Sequence, residues 1–248
     1  LANNNYPYQF LLDNLQIQNN LISAAHKFDV EKLIFLGSSC IYPKLAKQPL
    51  KEDYLLTGAL EPTNQWYAIA KIAGLKLCES LRLQYDREYL SLMPTNLYGT
   101  NDNFDLETSH VLPAMIRKFH EAKLDGNREV QLWGSGTPLR EFLHVDDLAK
   151  AVVFALQNKL NDTLYNVGSN IEISIKDLAL LIQSIIGHTG EIIFDKSKPD
   201  GTPRKIMDSG KMNSLGWQPT IDLEKGIRMT YQWYGNNLST TKRLKIKD

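Results

Sequence analysis

Tyr67 and Lys71 stand four residues apart in Tyr67-Ala-Ile-Ala-Lys71. On a helix that spacing puts both side chains on one face, one turn apart. An ammonium beside a phenol stabilises the phenolate and draws the tyrosine pKa down from about 10. A tyrosine tuned in this way can give a proton to a carbonyl that is being reduced. The pair alone is common on amphipathic helices, so its meaning depends on its surroundings. Ser38 comes earlier, at the end of an apolar run, where a hydroxyl can hydrogen-bond the same carbonyl. Pro94-Thr95-Asn96-Leu97 follows the next apolar run. Both segments would emerge at the carboxyl ends of strands, the edge where open α/β sheets bind ligands.

The elements that must position these groups are legible as patterns. Apolar residues at helical spacing over 8–28 predict a helix, and the run 32–36, bounded by Gly37-Ser38-Ser39, predicts a buried strand. Residues 41–62 hold three prolines and little periodicity, which reads as a surface excursion. Pro62-Thr63-Asn64 offers capping residues to a helix over 65–85, and 89–93 is the next strand. Strand, helix, strand argues for a parallel α/β sheet. Further on, the pattern predicts helices over 111–124, 175–187 (capped by Ser174) and 223–234. Asp146 and Asp147 should cap another, running to 158. Strands are expected at 130–133, 163–167 and 191–194, and a polar tail from 236 is expected to fray. There is no internal repeat.

Composition bounds the class. The 248 residues include 28 basic and 28 acidic side chains, a balance that removes the footprint of a general nucleic-acid binder. With 43% hydrophobic and 23% charged residues the chain is neither disordered nor fibrous. Two cysteines, Cys40 and Cys78, are too few for a disulfide framework and point to a reducing compartment. No apolar run approaches the roughly 18 residues of a membrane span, and the first residues lack a signal-peptide pattern. The expectation is a soluble, cytoplasmic chain. It does not begin with Met, so an incomplete N-terminus is expected.

Ser, Tyr and Lys on successive elements in this order resemble the extended branch of the short-chain dehydrogenase/reductase superfamily. The motif wording narrows the resemblance. Leu36-Gly-Ser-Ser-Cys-Ile-Tyr-Pro-Lys44, Glu61-Pro-Thr-Asn64 and Met93-Pro-Thr-Asn-Leu-Tyr-Gly99 look like segments of the GDP-L-fucose synthase family. So do Trp133-Gly-Ser-Gly-Thr-Pro138, Arg140-Glu-Phe-Leu-His-Val-Asp-Asp147 and the loop Lys198-Pro-Asp-Gly-Thr-Pro-Arg-Lys205. The likeness runs from about residue 2 to 233. It implies a Rossmann-type parallel sheet with a smaller C-terminal substrate-binding α/β domain. On that division, 1–100 is the remaining part of the NADP-binding domain and 101–235 is mainly substrate-binding, some segments returning to the first domain. Residues 236–248 form the tail. The family opens with a Gly-rich turn that seats the cofactor pyrophosphate on a helix N-terminus, and no such turn stands ahead of Gly37. The N-terminal strands are therefore expected to be missing, the chain to be a fragment and its hold on NADPH to be weak.

The resemblance also implies roles. Tyr67 is the general acid that protonates O4, Lys71 tunes it and binds the nicotinamide ribose, and Ser38 orients the 4-keto group. Cys40 and His110 are the acid/base pair that inverts C3 and C5. Leu36, Gly37, Ser38, Ser39, Lys71, Pro94, Thr95, Asn96, Leu97 and His110 would line NADP(H). Lys118, Trp133, Arg140, Asp200 and Lys205 would hold the GDP-sugar. No metal is expected: His144 with Asp146 and Asp147 fits no common site and reads as structural, and Cys78 reads as core. The implied reaction is the NADPH-dependent 3,5-epimerisation and 4-reduction of GDP-4-keto-6-deoxy-D-mannose, by a homodimer. The alternatives are another nucleotide-sugar epimerase or dehydratase of the same branch, or a non-catalytic fragment that keeps the sugar-nucleotide half. A dehydratase would be expected to carry Thr-Asp-Glu where this chain has Ser38-Ser39-Cys40.

Overall fold

A computed structural model describes residues 5–238 and divides the chain into two compact units. The polar tail predicted from 236 lies, beyond 238, outside the described residues.

The first unit combines residues up to 95 with 147–170 and 206–219. Its sheet is β1 (Lys32–Leu36), β2 (Glu88–Pro94) and β6 (Leu164–Val167), all parallel in the order β1-β2-β6. Helix α1 (Pro7–Lys27) packs along α2 (Gln65–Tyr85). The contact is close because Gly74 has no side chain: a Cβ there would stand 2.5 Å from Phe35 Cζ and 2.9 Å from Gln18 Cδ. Gln18 Nε2 uses that room to donate to the Ala70 carbonyl at 2.6 Å. Ile22, Phe35, Cys78, Leu81 and Tyr89 fill the core between the helices and the sheet. Asn64 occupies the N-cap of α2 but makes no side-chain capping bond, contrary to the sequence reading. The 41–62 excursion is pinned to the sheet by Tyr42, Leu50 and Met207, which pack with Met93 and Leu164.

The second unit holds residues 96–146, 171–205 and 220 onward. Strand β5 (Leu139–His144) runs parallel to β3 (Asn96–Tyr98) and β9 (Arg204–Lys205), and antiparallel to β7 (Glu172–Ser174). Strands β4 (Glu129–Trp133) and β8 (Glu191–Asp195) form a separate parallel pair. Helices α3 (Val111–Asp125), α5 (Ile175–Ile186) and α7 (Leu223–Asn236) enclose a core of Phe104, Ile116, Phe119, Leu178, Ile182 and Ile227. Ser174 caps α5 as predicted, its hydroxyl accepting from the Asp177 N–H, and Gly187 ends the helix in the left-handed region at φ 76°.

Two further helices lie among the described residues: α4 (Val145–Gln157) and the short α6 (Gly210–Ser214). Asp146 and Asp147 do not cap α4, because the helix has already begun at Val145. Asp147 is instead fully buried, and its carboxylate accepts from Lys150 Nζ at 3.1 Å.

Candidate active site

Strand β1 ends at Leu36, and Gly37 turns the chain against β2, its N–H donating to the Leu92 carbonyl at 2.9 Å. A Cβ here would stand 2.0 Å from Met93 Cε, so a larger residue would have to displace the Met93 side chain. Ser39–Ile41 then form one 3₁₀ turn whose N-cap is Ser38, the serine hydroxyl accepting from the Cys40 N–H at 3.4 Å. That turn packs against α2, which carries Tyr67 and Lys71. Cys40 acts electrostatically on both of them. Lys71 Nζ donates to the Leu36 carbonyl at 3.0 Å and lies over the rings of Phe35 and Tyr67, 5.0 and 5.5 Å from their centroids. Four predicted groups, Ser38, Cys40, Tyr67 and Lys71, thus meet at the carboxyl end of β1.

Their electrostatics differ from the sequence expectation. Burial, with a smaller contribution from Cys40, pushes the Tyr67 pKa up to about 12 rather than down. The Lys71 ammonium is bound to a backbone carbonyl rather than to the phenol, and burial lowers its own pKa. Tyr67 therefore carries its proton throughout the neutral range, the form a donor needs.

The turn is anchored from behind by residues that no spacing rule singles out. Tyr42 donates its hydroxyl to Asn166 Oδ1 at 2.5 Å, and Asn166 Nδ2 donates to the carbonyls of Leu50 and Asp208. The Asn166 N–H goes to the Glu52 carboxylate at 2.9 Å, whose pKa burial raises. Pro94 and Thr95 close β2, Thr95 donating its N–H to the Val167 carbonyl at 3.1 Å.

The remaining predicted residues belong to the second unit. His110 is exposed at the N-cap of α3, and Asp102 interacts with it electrostatically. Asn96 Nδ2 donates to the Glu141 carbonyl at 2.8 Å, and Leu97 pairs with Leu143. Trp133 ends β4 with 65% of its surface exposed, and Lys198 Nζ lies 5.6 Å from its ring centroid. Asp200 is already engaged: its two oxygens accept from the Ser135 N–H and hydroxyl at 2.8 and 2.7 Å. These bonds and nearby Arg140 hold its pKa below the usual carboxylate value. Arg140 is half-buried, its pKa lowered by that burial, and Nη1 donates to the Leu139 carbonyl. Lys118 Nζ donates to the Gln131 carbonyl at 3.0 Å, and Lys205 pairs with Arg140 in the β5–β9 ladder. His144 is buried, its Nδ1 accepting from the Asp146 N–H at 3.2 Å. Among the described residues no cluster of His, Cys, Asp and Glu could hold a metal ion.

A strand-end serine, a Tyr/Lys helix and a parallel sheet define an oxidoreductase or epimerase of the nucleotide-cofactor class. Residues 1–168 match the NAD dependent epimerase/dehydratase family, and the chain belongs to it. The chain is 56% identical over 237 residues to GDP-L-fucose synthase 1 of Arabidopsis thaliana, covering 96% of this chain and 73% of that protein. It is 53% identical over 246 residues to the GDP-L-fucose synthase of Escherichia coli K12, covering 96% and 77%. Among solved structures it resembles the GDP-mannoheptose C4 reductase of Campylobacter jejuni with NADP bound. That match has TM-score 0.87 and 41% identity, covering 95% of this chain and 77% of the other.

Proposed function

We propose that the protein converts GDP-4-keto-6-deoxy-D-mannose to GDP-L-fucose by 3,5-epimerisation and NADPH-dependent 4-reduction. The reading rests on the meeting of the Ser38–Cys40 turn with Tyr67 and Lys71 at one strand end. The relatives named GDP-L-fucose synthase support the same reaction. The cofactor is NADP(H), in keeping with the NADP-bound relative. The residues present fit its nicotinamide half: the Leu36 carbonyl and the Lys71 ammonium lie together at the strand end, suited to ribose hydroxyls. No residue in the chain offers the G-x-G-x-x-G spacing of a pyrophosphate turn.

The C4 carbonyl acidifies the protons on C3 and C5. Cys40 and His110 form the pair that removes each proton and returns it on the opposite face, since thiol and imidazole both exchange protons near neutrality. When bound, NADPH supplies a hydride to C4. Tyr67 gives its phenolic proton to O4, which completes the new hydroxyl, and Ser38 orients the carbonyl. Trp133, Arg140, Asp200, Lys205 and Lys118 hold the GDP-sugar. The enzyme works as a cytoplasmic homodimer; no helix among the described residues is long and apolar enough to cross a membrane.

The protein should consume GDP-4-keto-6-deoxy-D-mannose with NADPH and release GDP-L-fucose, identified by NMR. Without NADPH it should only exchange solvent deuterium into C3 and C5. Reduction with no inversion would reassign it to simple C4 reductases.

A further inference from the structure

The segment that carries Ser38 and Cys40 is tied to the sheet at both ends. At its start the Gly37 N–H bonds the Leu92 carbonyl of β2 at 2.9 Å. At its finish the tie is a side chain: Tyr42 donates its hydroxyl to Asn166 Oδ1, on the neighbouring strand β6, at 2.5 Å. Met93 and Asn166 are partners in the β2–β6 ladder, so the two ties lie one residue apart in register. Between them the chain turns once, the Ile41 N–H donating to the Ser38 carbonyl at 3.2 Å.

The acceptor for Tyr42 has no other orientation open to it. Asn166 Nδ2 spends its two hydrogens on the carbonyls of Leu50 and Asp208, at 3.0 and 3.2 Å, which leaves Oδ1 for the phenol. The Asn166 N–H is held by the Glu52 carboxylate at 2.9 Å. Asn166 has no exposed surface and Tyr42 almost none. A buried polar network with its members paired is rigid and holds one geometry. Burial, and after it the Glu52 carboxylate, push the Tyr42 pKa upward, so the phenol keeps its proton and stays a donor. Packing against Ile72, Leu75 and Met93 would be served by a phenylalanine ring. The buried hydroxyl serves the tie.

We propose that Tyr42 is a positioning residue for the Cys40 thiol. The Tyr42–Asn166 bond fixes the far end of the turn, and with it the place from which Cys40 exchanges a proton with the sugar. The inference rests on the acid/base role given to Cys40 above. Ser38 is one residue from the Gly37 tie, whereas Cys40 is two residues from the Tyr42 tie. Loosening the Tyr42 end therefore displaces the thiol more than the serine hydroxyl. Tyr67 and Lys71 stand on α2 and keep their places. Tyr42 itself passes no proton to the substrate; it sets a distance, on which proton transfer depends steeply.

Two assays separate the groups. Deuterium uptake at C3 and C5 of GDP-4-keto-6-deoxy-D-mannose, with NADP⁺ present so that nothing is reduced, reads the placement of Cys40. NADPH oxidation on the same ketone, equilibrated beforehand by the parent enzyme and filtered free of it, reads Tyr67 and Ser38. Tyr42→Phe keeps the ring and removes the bond. Its uptake at saturating GDP-sugar should fall by about 10- to 100-fold, the cost of a displaced reacting group, with NADPH oxidation within about twofold of the parent. On a Cys40→Ser background the same change should cost nothing further. Uptake at the parent rate in Tyr42→Phe, with Cys40→Ser stalled, would overturn the role of Tyr42 and leave that of Cys40 standing. Parent-rate uptake in Cys40→Ser would instead remove the underlying assignment. Uptake and oxidation falling together in Tyr42→Phe would make the hydroxyl a support of the fold at large and end the proposal.

Discussion

At the scale of single residues the two chemical steps should come apart. Tyr67→Phe removes the proton donor for reduction and leaves Cys40 and His110 intact. NADPH oxidation should fall by about 10²–10⁴-fold while deuterium still enters C3 and C5. Cys40→Ser should do the reverse, because a hydroxyl exchanges protons poorly near neutral pH. Exchange should stall while a slow reduction yields a 6-deoxyhexose of the wrong configuration. If Cys40→Ser epimerises at the parent rate, Cys40 is packing alone. A spectral titration at 295 nm tests the burial of Tyr67. Burial pushes its pKa up to about 12, above the ordinary tyrosine value of about 10, so its neutral form favours the fold. That stability is complete below pH 10 and is lost as pH rises through 12. The difference between the parent and Tyr67→Phe should therefore show no phenolate from this residue before about pH 11. The Tyr67/Lys71 pair was readable because helical spacing is local. The direction of the pKa shift was not, since it depends on burial that only the tertiary fold creates.

At the scale of elements, the strands that escaped the sequence are those whose burial is not hydrophobic. Glu141 and His144, both with no exposed surface, interrupt β5, so its six residues show neither alternation nor an apolar run. β3 and β7 have three residues each and β9 two, too short for any period to register. β1 and α2 were read at their observed bounds because continuous apolar runs and long stripes are what burial between layers selects. The Asp146-Asp147 pair misled because acidic residues are favoured in the first turn of a helix as well as at its cap. The α1–α2 contact makes a direct test. Gly74→Ala would gain helix propensity but must displace Phe35 or Gln18. A net loss of about 1–3 kcal/mol is expected from overpacking, read as a lower urea midpoint at unchanged slope. An equal or higher midpoint would show that the two helices can part freely.

For the whole molecule, the outer faces of the same two helices expose Ile17 and Leu21 on α1 and Trp66 and Ile69 on α2, at 61%, 63%, 37% and 41%. Paired apolar positions one helical turn apart suit a helix from a second copy. Light scattering of the protein at micromolar concentration should give the dimer mass, and Ile17→Glu with Leu21→Glu should give the monomer. A monomeric parent would dismiss the pairing. The sheet order β1-β2-β6 has a different consequence, one for synthesis. β2 ends at residue 94 and its partner β6 begins at 164, so about 70 residues of second-unit and α4 chain must leave the ribosome before the β2 edge is covered. At roughly 5–20 residues per second, that apolar edge stays open for several seconds of every round of translation. Slowing elongation between those points, by rare codons alone and with no change in amino-acid sequence, lengthens the open interval, and the soluble yield should fall with it.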